Sequence, residues 1–326
     1  MDQPTGALAD ILAAAGLPTS GRFRTSAGWV SRAWIGDDVV VRQSTGGARD
    51  AYRHETAVLA ALAGTGVPHA RSIAVGEHPD GPWSVTERLP GRTLHQAWGP
   101  SDEHGRRRMI ESLGAALRTL HRVPAPSPAL RPPWLADAFA GADWPAYHPP
   151  IVGTAERLAA EALRRDGADV EVVTAARDWA RAHVGLFADA PPVLVHGDLH
   201  PSNVMVDGDE VSGLIDFAEA VTQPADVELD TLLRWCAHPD EFPPTPGAST
   251  LDPGTLVDVP RWLRDAYPEL FAHEHERDRL ALHAMTVELA IAAHHPERAV
   301  QERAFRNLTG LLDGTSDLDR VLGHAQ

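Results

Sequence analysis

The chain contains no lysine. All 29 of its basic residues are arginine, so no side-chain amine is available as a nucleophile, a Schiff base or a point-charge ligand for phosphate. Any side-chain cation that is always charged must be the planar, forked guanidinium. Cysteine is nearly as scarce. Cys236 stands alone, which excludes an intrachain disulfide and fits a reducing compartment. It lies within Leu232-Leu233-Arg234-Trp235-Cys236, where a buried structural thiol is expected rather than a nucleophile. No apolar run approaches the ~18 residues that a membrane-spanning helix needs. Met1–Asp10 has acids and no basic leader region. The expectation is a cytoplasmic protein with no membrane partner. Positive charge is in deficit overall, with 29 Arg against 45 Asp and Glu and a net charge of −16, which argues against nucleic acid as a partner.

The deficit is uneven. Residues 1–90 hold 8 Arg and 9 acids, net −1, whereas residues 91–326 hold 21 and 36, net −15. The total of 326 residues is enough for two lobes with a sizeable core. The hydrophobic pattern changes character near the same boundary. Up to residue 90 it predicts a short helix over 5–15, a meander of strands over 22–25, 29–35 and 39–42, a helix over 48–63, and strands over 71–77 and 83–88. Beyond it the pattern is helical: 102–122 with Ser101 as N-cap, then 154–165, 171–187, 225–237, 260–271, 275–294 and 297–313. A Pro-rich insertion with Trp134 and Trp144 spans 124–150, and a Pro/Gly/Thr-rich loop spans 238–258. The predicted fold is α+β and bilobal. Residues 1–90 form an antiparallel β-sheet lobe with one main helix, and residues 91–326 form a larger, mostly helical lobe.

One polar side chain breaks the pattern in the first lobe. Glu55 falls on the apolar stripe Ala51, Val58, Leu59 and Leu62 of its helix. An acid that faces a core needs a cation, and Arg42, closing the preceding strand, is the nearest in chain order.

The second lobe contains the stretch around which the chain is organised, residues 193–217. Apolar runs Val193–Val195 and Val204–Val206 bracket a loop carrying His196, Asp198, His200 and Asn203. A third run ends on Asp216 after the turn Asp207-Gly208-Asp209, a strong hairpin signal. Folding back about Gly208–Asp209 sets Asn203 opposite 214–216. A carboxylate and a carboxamide then meet at one end of a ribbon, with Asp198 just before it. Hard oxygen ligands around a gap beside a free carboxylate suit Mg²⁺ and a bound phosphate. A different reading takes His196-x-Asp198-x-His200 as transition-metal ligands of a hydrolase, but the later histidines His273, His275 and His283 fit no zinc spacing.

His196-Gly-Asp198-Leu-His200-Pro-Ser-Asn203, followed 13 residues after Asn203 by Asp216-Phe217, resembles the signature of the aminoglycoside phosphotransferase family, small-molecule kinases similar in fold to protein kinases. The resemblance implies an enzyme that moves the γ-phosphate of ATP or GTP to an alcohol group, with Mg²⁺. It makes Asp198 the base-like residue that orients the acceptor hydroxyl, with no raised pKa required, and Asn203 and Asp216 the metal ligands. Arg42 and Glu55 match the strand-cation and helix-acid pair at the nucleotide phosphates, with Arg where the best-known members have Lys. Ser26 and Ser31 fall in the phosphate-covering loop, and the backbone of Glu87 and Leu89 at the hinge. His196, His200 and Asp230 would brace the catalytic loop.

No activation-loop length separates Asp216 from Asp230, which favours a small-molecule acceptor over a protein. The acidic second lobe favours a cationic one, such as an aminoglycoside, an amino-sugar macrolide or a cationic peptide antibiotic, with a nucleoside-type antibiotic as a further candidate. Trp235, Trp262 and Tyr267 are its candidate pocket walls. A metabolite kinase for a sugar, choline-like or amino-alcohol acceptor and a non-catalytic kinase-fold binder are the alternatives. Monomer and homodimer are both left open.

Overall fold

The computed structural model describes residues 6–27, 31–44, 51–124, 148–187, 191–242 and 251–325. The first lobe opens with helix α1 (Ala7–Ala14), followed by β1 (Arg24–Ala27), β2 (Ser31–Ile35), β3 (Val39–Ser44), helix α2 (Ala51–Leu62), β4 (Ser72–Gly76) and β5 (Trp83–Glu87). These strands make one antiparallel sheet in the order β1-β2-β3-β5-β4. Helix α1 and the sheet share a core of Leu8, Ile11, Leu12, Phe23, Trp34, Val41, Trp83 and Val85. Alternation sets the faces of β3. Val41 is fully buried, while Val40 and Arg42, its neighbours in sequence, line the space beneath the sheet.

A tight connection follows. Gly91 has φ 86°, and a Cβ there would lie 1.9 Å from the Val206 carbonyl oxygen, so only glycine fits this crossing. Strand β6 (Arg92–Thr93) and helix α3 (Leu94–Trp98), neither of them predicted, come next. Thr93 and Gln96 form a capping box that starts α3. Helix α4 (Glu103–Leu120) begins on Asp102, whose carboxylate accepts from the Gly105 amide at 2.8 Å. The predicted cap, Ser101, instead donates its hydroxyl to the Ala97 carbonyl. Most of the 124–150 insertion, with Trp134 and Trp144, lies outside the described residues.

The rest of the lobe comprises α5 (His148–Ala162), α6 (Val170–Ala182), β7 (Val193–Val195), β8 (Val204–Asp207), β9 (Glu210–Leu214), β10 (Val221–Gln223), α7 (Glu228–Ala237), α8 (Val259–Ala266), α9 (Glu276–His294), α10 (Arg298–Asp313) and α11 (Asp317–Ala325). Helix α11 and strand β10, which pairs with β7, were not predicted. Two cores serve this lobe. One gathers α5, α6, α9 and α10. The other runs through α3, α4, α7 and α8 and takes in Val58, Leu59 and Leu62 of α2. The helix of the first lobe is thus packed into the core of the second.

Candidate active site

The hairpin forms as its turn chemistry dictates. Asp207 pairs with Glu210 and Val204 with Leu214, leaving Gly208 and Asp209 as a two-residue turn with Gly208 at φ 63°. The Ile215 amide donates to the Asn203 carbonyl at 3.0 Å, so Asn203 and Asp216 meet at the same end of the ribbon.

Before β8, the loop is held from several sides. His196 is fully buried; one ring nitrogen lies 2.9 Å from the Ile215 carbonyl and the other accepts from the Asp198 amide at 3.3 Å. Both nitrogens are therefore engaged, and burial pushes the imidazole down to about 4, so it is neutral. This removes the His196-x-Asp198-x-His200 ligand set, because His196 has no lone pair to offer a metal. Gly197 has φ 82°, and a Cβ there would sit 2.3 Å from the Glu219 carbonyl. Its amide donates to Glu228 Oε1 at 3.0 Å. Asn203 donates through Nδ2 to the Asp198 carbonyl at 2.9 Å and to Asp198 Oδ2 at 3.3 Å. His200 Nε2 lies 3.6 Å from the same Oδ2. Burial first, then the charges of Asp216 and Glu219, push the Asp198 carboxyl up to about 7. Sequence reasoning had required no such shift. It arises chiefly because the carboxyl is drawn out of water, and then because Asp216 and Glu219 stand near it.

Asp216 takes up the left-handed conformation, φ 65° and ψ 62°. For a residue with a Cβ that conformation carries a backbone strain. Its carboxylate lies 2.9 Å from Arg42 Nη1, and Arg42 Nη2 pairs with Glu55. Burial works against the charge on Arg42, but Glu55 and Asp216 outweigh it and hold the guanidinium firmly protonated. Burial also opposes ionisation of Asp216, and Arg42 more than offsets it, leaving the carboxyl below its usual range. Glu55 is 3% exposed and accepts from the Phe217 amide at 3.2 Å. The predicted Arg42–Glu55 pair is present and extends to Asp216, tying both lobes together. Its neighbour His54 was not foreseen. Its Nε2 lies 2.7 Å from the Ala220 carbonyl, also across the lobe boundary.

Between the lobes is a cleft of about 310 Å³. Ala33, Ile35, Val40, Leu89, Met205 and Ile215 give it an apolar slot, and Arg42 and Asp216 its polar end. Ser26, Glu87 and Leu89 line it as expected. The Glu87 amide is already bonded to the Arg71 carbonyl at 3.0 Å, so at this residue only the carbonyl is a candidate for a ligand. Ser31 is not in the lining and lies against the Tyr52 hydroxyl.

Residues 24–246 match the Phosphotransferase enzyme family. The chain belongs to that family. The matched span includes Arg42, Glu55 and the whole of Val193–Phe217. Among curated proteins the chain is similar to homoserine kinase of Methylocella silvestris, 33% identical over 146 residues, which are 44% of this chain and 40% of that protein. It is also similar to homoserine kinase of Allorhizobium ampelinum, 30% identical over 188 residues, 57% and 52% of the two chains. It spans about half the length of these relatives. Among solved structures, the streptomycin–ATP ternary complex of APH(2")-IIa superposes with a TM-score of 0.65 at 15% identity, covering 97% of this chain and 99% of that one. The ADP and hygromycin B complex of APH(4)-Ia gives 0.60 at 17% identity, covering 98% and 99%. At such identities the likeness is one of fold.

Against this family frame, two sequence expectations need correction. Among the described residues no hydrogen bond or ion pair joins Asp230 to the 196–203 loop. Asp230 pairs with Arg234 along its own helix at 3.4 Å, and Glu228, two residues earlier and on the opposite side of α7, is the acid bonded to the Gly197 amide. The 3₁₀ turn at 225–227 and the start of α7 aim 228, not 230, at the loop. The proposed acceptor-pocket walls are also wrong. Trp235, Trp262 and Tyr267 are 0%, 2% and 7% exposed, inside the core that joins α4, α7 and α8. Trp235 packs edge-on to Trp98, and Tyr267 meets His121 at 3.2 Å.

Proposed function

We propose that the protein is a nucleotide-dependent O-phosphotransferase that moves a γ-phosphate from ATP or GTP to a hydroxyl of a small molecule. The observation that carries this reading is the continuous line Glu55–Arg42–Asp216 across the cleft, with Asn203 and Asp198 immediately behind it. The acceptor oxygen attacks the γ-phosphorus, its proton passes to Asp198, and the bond to the β–γ bridging oxygen breaks to release the nucleoside diphosphate. Asp198 supplies position more than basicity, because Asn203 fixes its carboxylate. Arg42 offers a forked donor to the phosphates in place of a lysine.

The donor set fits Mg²⁺. Asn203 turns its amide nitrogen to Asp198, which frees Oδ1, and the Asp216 carboxylate is open to the cleft. Two hard oxygen groups, with phosphate oxygens and water completing the shell, match the preference of this ion. Asn203 and Asp216 would hold the ion, which would supply charge neutralisation at the nucleotide's phosphates.

The excess acid of residues 91–326 supports a cationic acceptor of the antibiotic type. The homoserine kinase relatives favour a second reading, in which the acceptor is a small hydroxylated amino acid. An ATP- and GTP-consumption screen over L-homoserine, amino alcohols and aminoglycosides decides between them. Asp198→Asn lowers turnover by ~100-fold or more, while ATP still raises the melting temperature. Wild-type turnover in that variant overturns the mechanism.

A further inference from the structure

The helical lobe contains a second cavity, of about 320 Å³, walled by α7, α9, α10 and the start of α11. At roughly 30 Å³ per water it has room for about ten waters. Its lining is unlike that of a packing defect, which in a core is apolar and dry. Asp230, Arg234, Glu288, Arg306 and Asp317 all face it, three acids against two arginines. The inner groups are loosely matched. Arg234 stands between Asp230 at 3.4 Å and Glu288 at 3.8 Å, both longer than the ~2.8 Å of a close charge-assisted bond. Two carboxylates thus share one guanidinium. Glu288 is 8% exposed and accepts from the Asn307 amide at 3.2 Å, with the charges of Arg234 and Arg303 acting on it and that of Glu241 opposing them. Burial pushes its carboxyl up to about 7, as expected of a buried acid short of positive charge. Towards the opening, Asp317 is paired with Arg320 at 2.9 Å and lies 3.0 Å from His238 Nε2. Arg306 is exposed and has no ion pair among the described residues.

We propose that this cavity is a binding site for a small zwitterion, with its ammonium group beside Arg234, where Asp230 and Glu288 together carry one negative charge more than that guanidinium balances, and its anionic end at Arg306. The inference does not rest on the phosphotransferase reading, and the site is separate from the transfer site. Asp198 is not part of the lining, and the charges acting on its carboxyl come from Asp216 and Glu219, not from the acids of this cavity. An occupant would nevertheless be felt there. Helix α7 carries Asp230 two residues and Arg234 six residues after Glu228, which holds the Gly197 amide.

The test uses the full chain and probes without a hydroxyl, so binding is measured independently of turnover. γ-Aminobutyrate and L-lysine at millimolar concentration are expected to raise the melting temperature saturably, whereas n-butylamine, lacking the anionic end, and succinate, lacking the ammonium, are not. Glu288→Gln and Arg306→Ala each weaken the probe by about tenfold or more and leave the ATP-induced shift unchanged. Glu288→Gln keeps the Asn307 hydrogen bond and relieves an under-compensated charge, so the empty protein melts at the same temperature or higher. The proposal is overturned if neither zwitterion shifts the wild-type protein, or if the shift persists in both variants. A fall of several degrees in the empty Glu288→Gln protein overturns it too, since Glu288 would then be a structural strut.

Discussion

Arg42 holds Glu55 and Asp216 with one guanidinium, a task for which a lysine ammonium has neither the fork nor the spread of donors. Arg42→Ala therefore leaves Glu55 buried without a cation, a loss of about 3 kcal/mol or more, and raises the nucleotide KM in steady-state assays. A wild-type KM would place Arg42 outside the nucleotide site. Glu228 offers a pH test. Burial, against the opposing Gly197 and His196 amides, pushes it from 4.5 up to about 7. Between those values the native state keeps a proton that the unfolded chain has released, so its contribution is intact below pH ~4.5 and lost as pH rises through ~7. Urea denaturation across that window should show the wild type losing up to roughly 3 kcal/mol relative to Glu228→Gln. Parallel curves would mean that Glu228 does not titrate there. At this scale the sequence is legible where a residue violates its own pattern. Glu55 on an apolar stripe demanded a cation, and Arg42 supplies it. Glu228 violates nothing local, because what marks it is an amide 31 residues earlier in the chain.

Among the elements, α2 ties the two lobes together. Its apolar stripe packs into the helical core, and consecutive residues reach across, His54 to the Ala220 carbonyl and Glu55 to the Phe217 amide. Both targets flank the turn that presents Asp216. Losing the His54 contact should loosen Asp216 more than it loosens the fold. His54→Ala is expected to lower kcat by about tenfold, and His54→Gln, whose amide can still donate to the carbonyl, to restore most of it. Equal losses in both, in step with their melting temperatures, would reduce His54 to packing. The β8–β9 hairpin was readable because Gly208–Asp209 is local turn chemistry between β-branched runs. Strand β10 was not, since three residues acquire their strand identity only by pairing with β7. The tryptophans misled for a related reason. Helical spacing says that Trp235 and Trp262 share faces with apolar neighbours, but it cannot say whether such a face meets solvent or another helix.

Across the whole molecule, charge is divided as the lobes are. The sheet lobe is nearly neutral, the remainder of the chain carries net −15, and the cleft between them is rimmed by Arg24, Arg88 and Arg92. If a cationic acceptor is drawn in by that field, its KM rises with added salt on the scale of Debye screening, whereas that of a neutral hydroxylated acceptor does not. Matching salt profiles for the two would leave the acidity a matter of solubility. The bilobal plan was legible from composition and pattern alone, because the sheet and helix periods change at the Leu89-Pro90-Gly91 crossing. The second cavity was not, since its lining depends on how four helices from distant parts of the chain come to stand around a space. One feature of the helical core also has practical use. Cys236 is 7% exposed, and burial raises its thiol well above the ordinary range, so it has almost no thiolate with which to react. The native chain is therefore close to silent toward maleimides. A pair of new cysteines, one on the exposed side of β2 and one on α10, would carry fluorophores to chosen positions without first removing the natural thiol. Opening and closing of the cleft could then be followed as energy transfer between two dyes in single molecules.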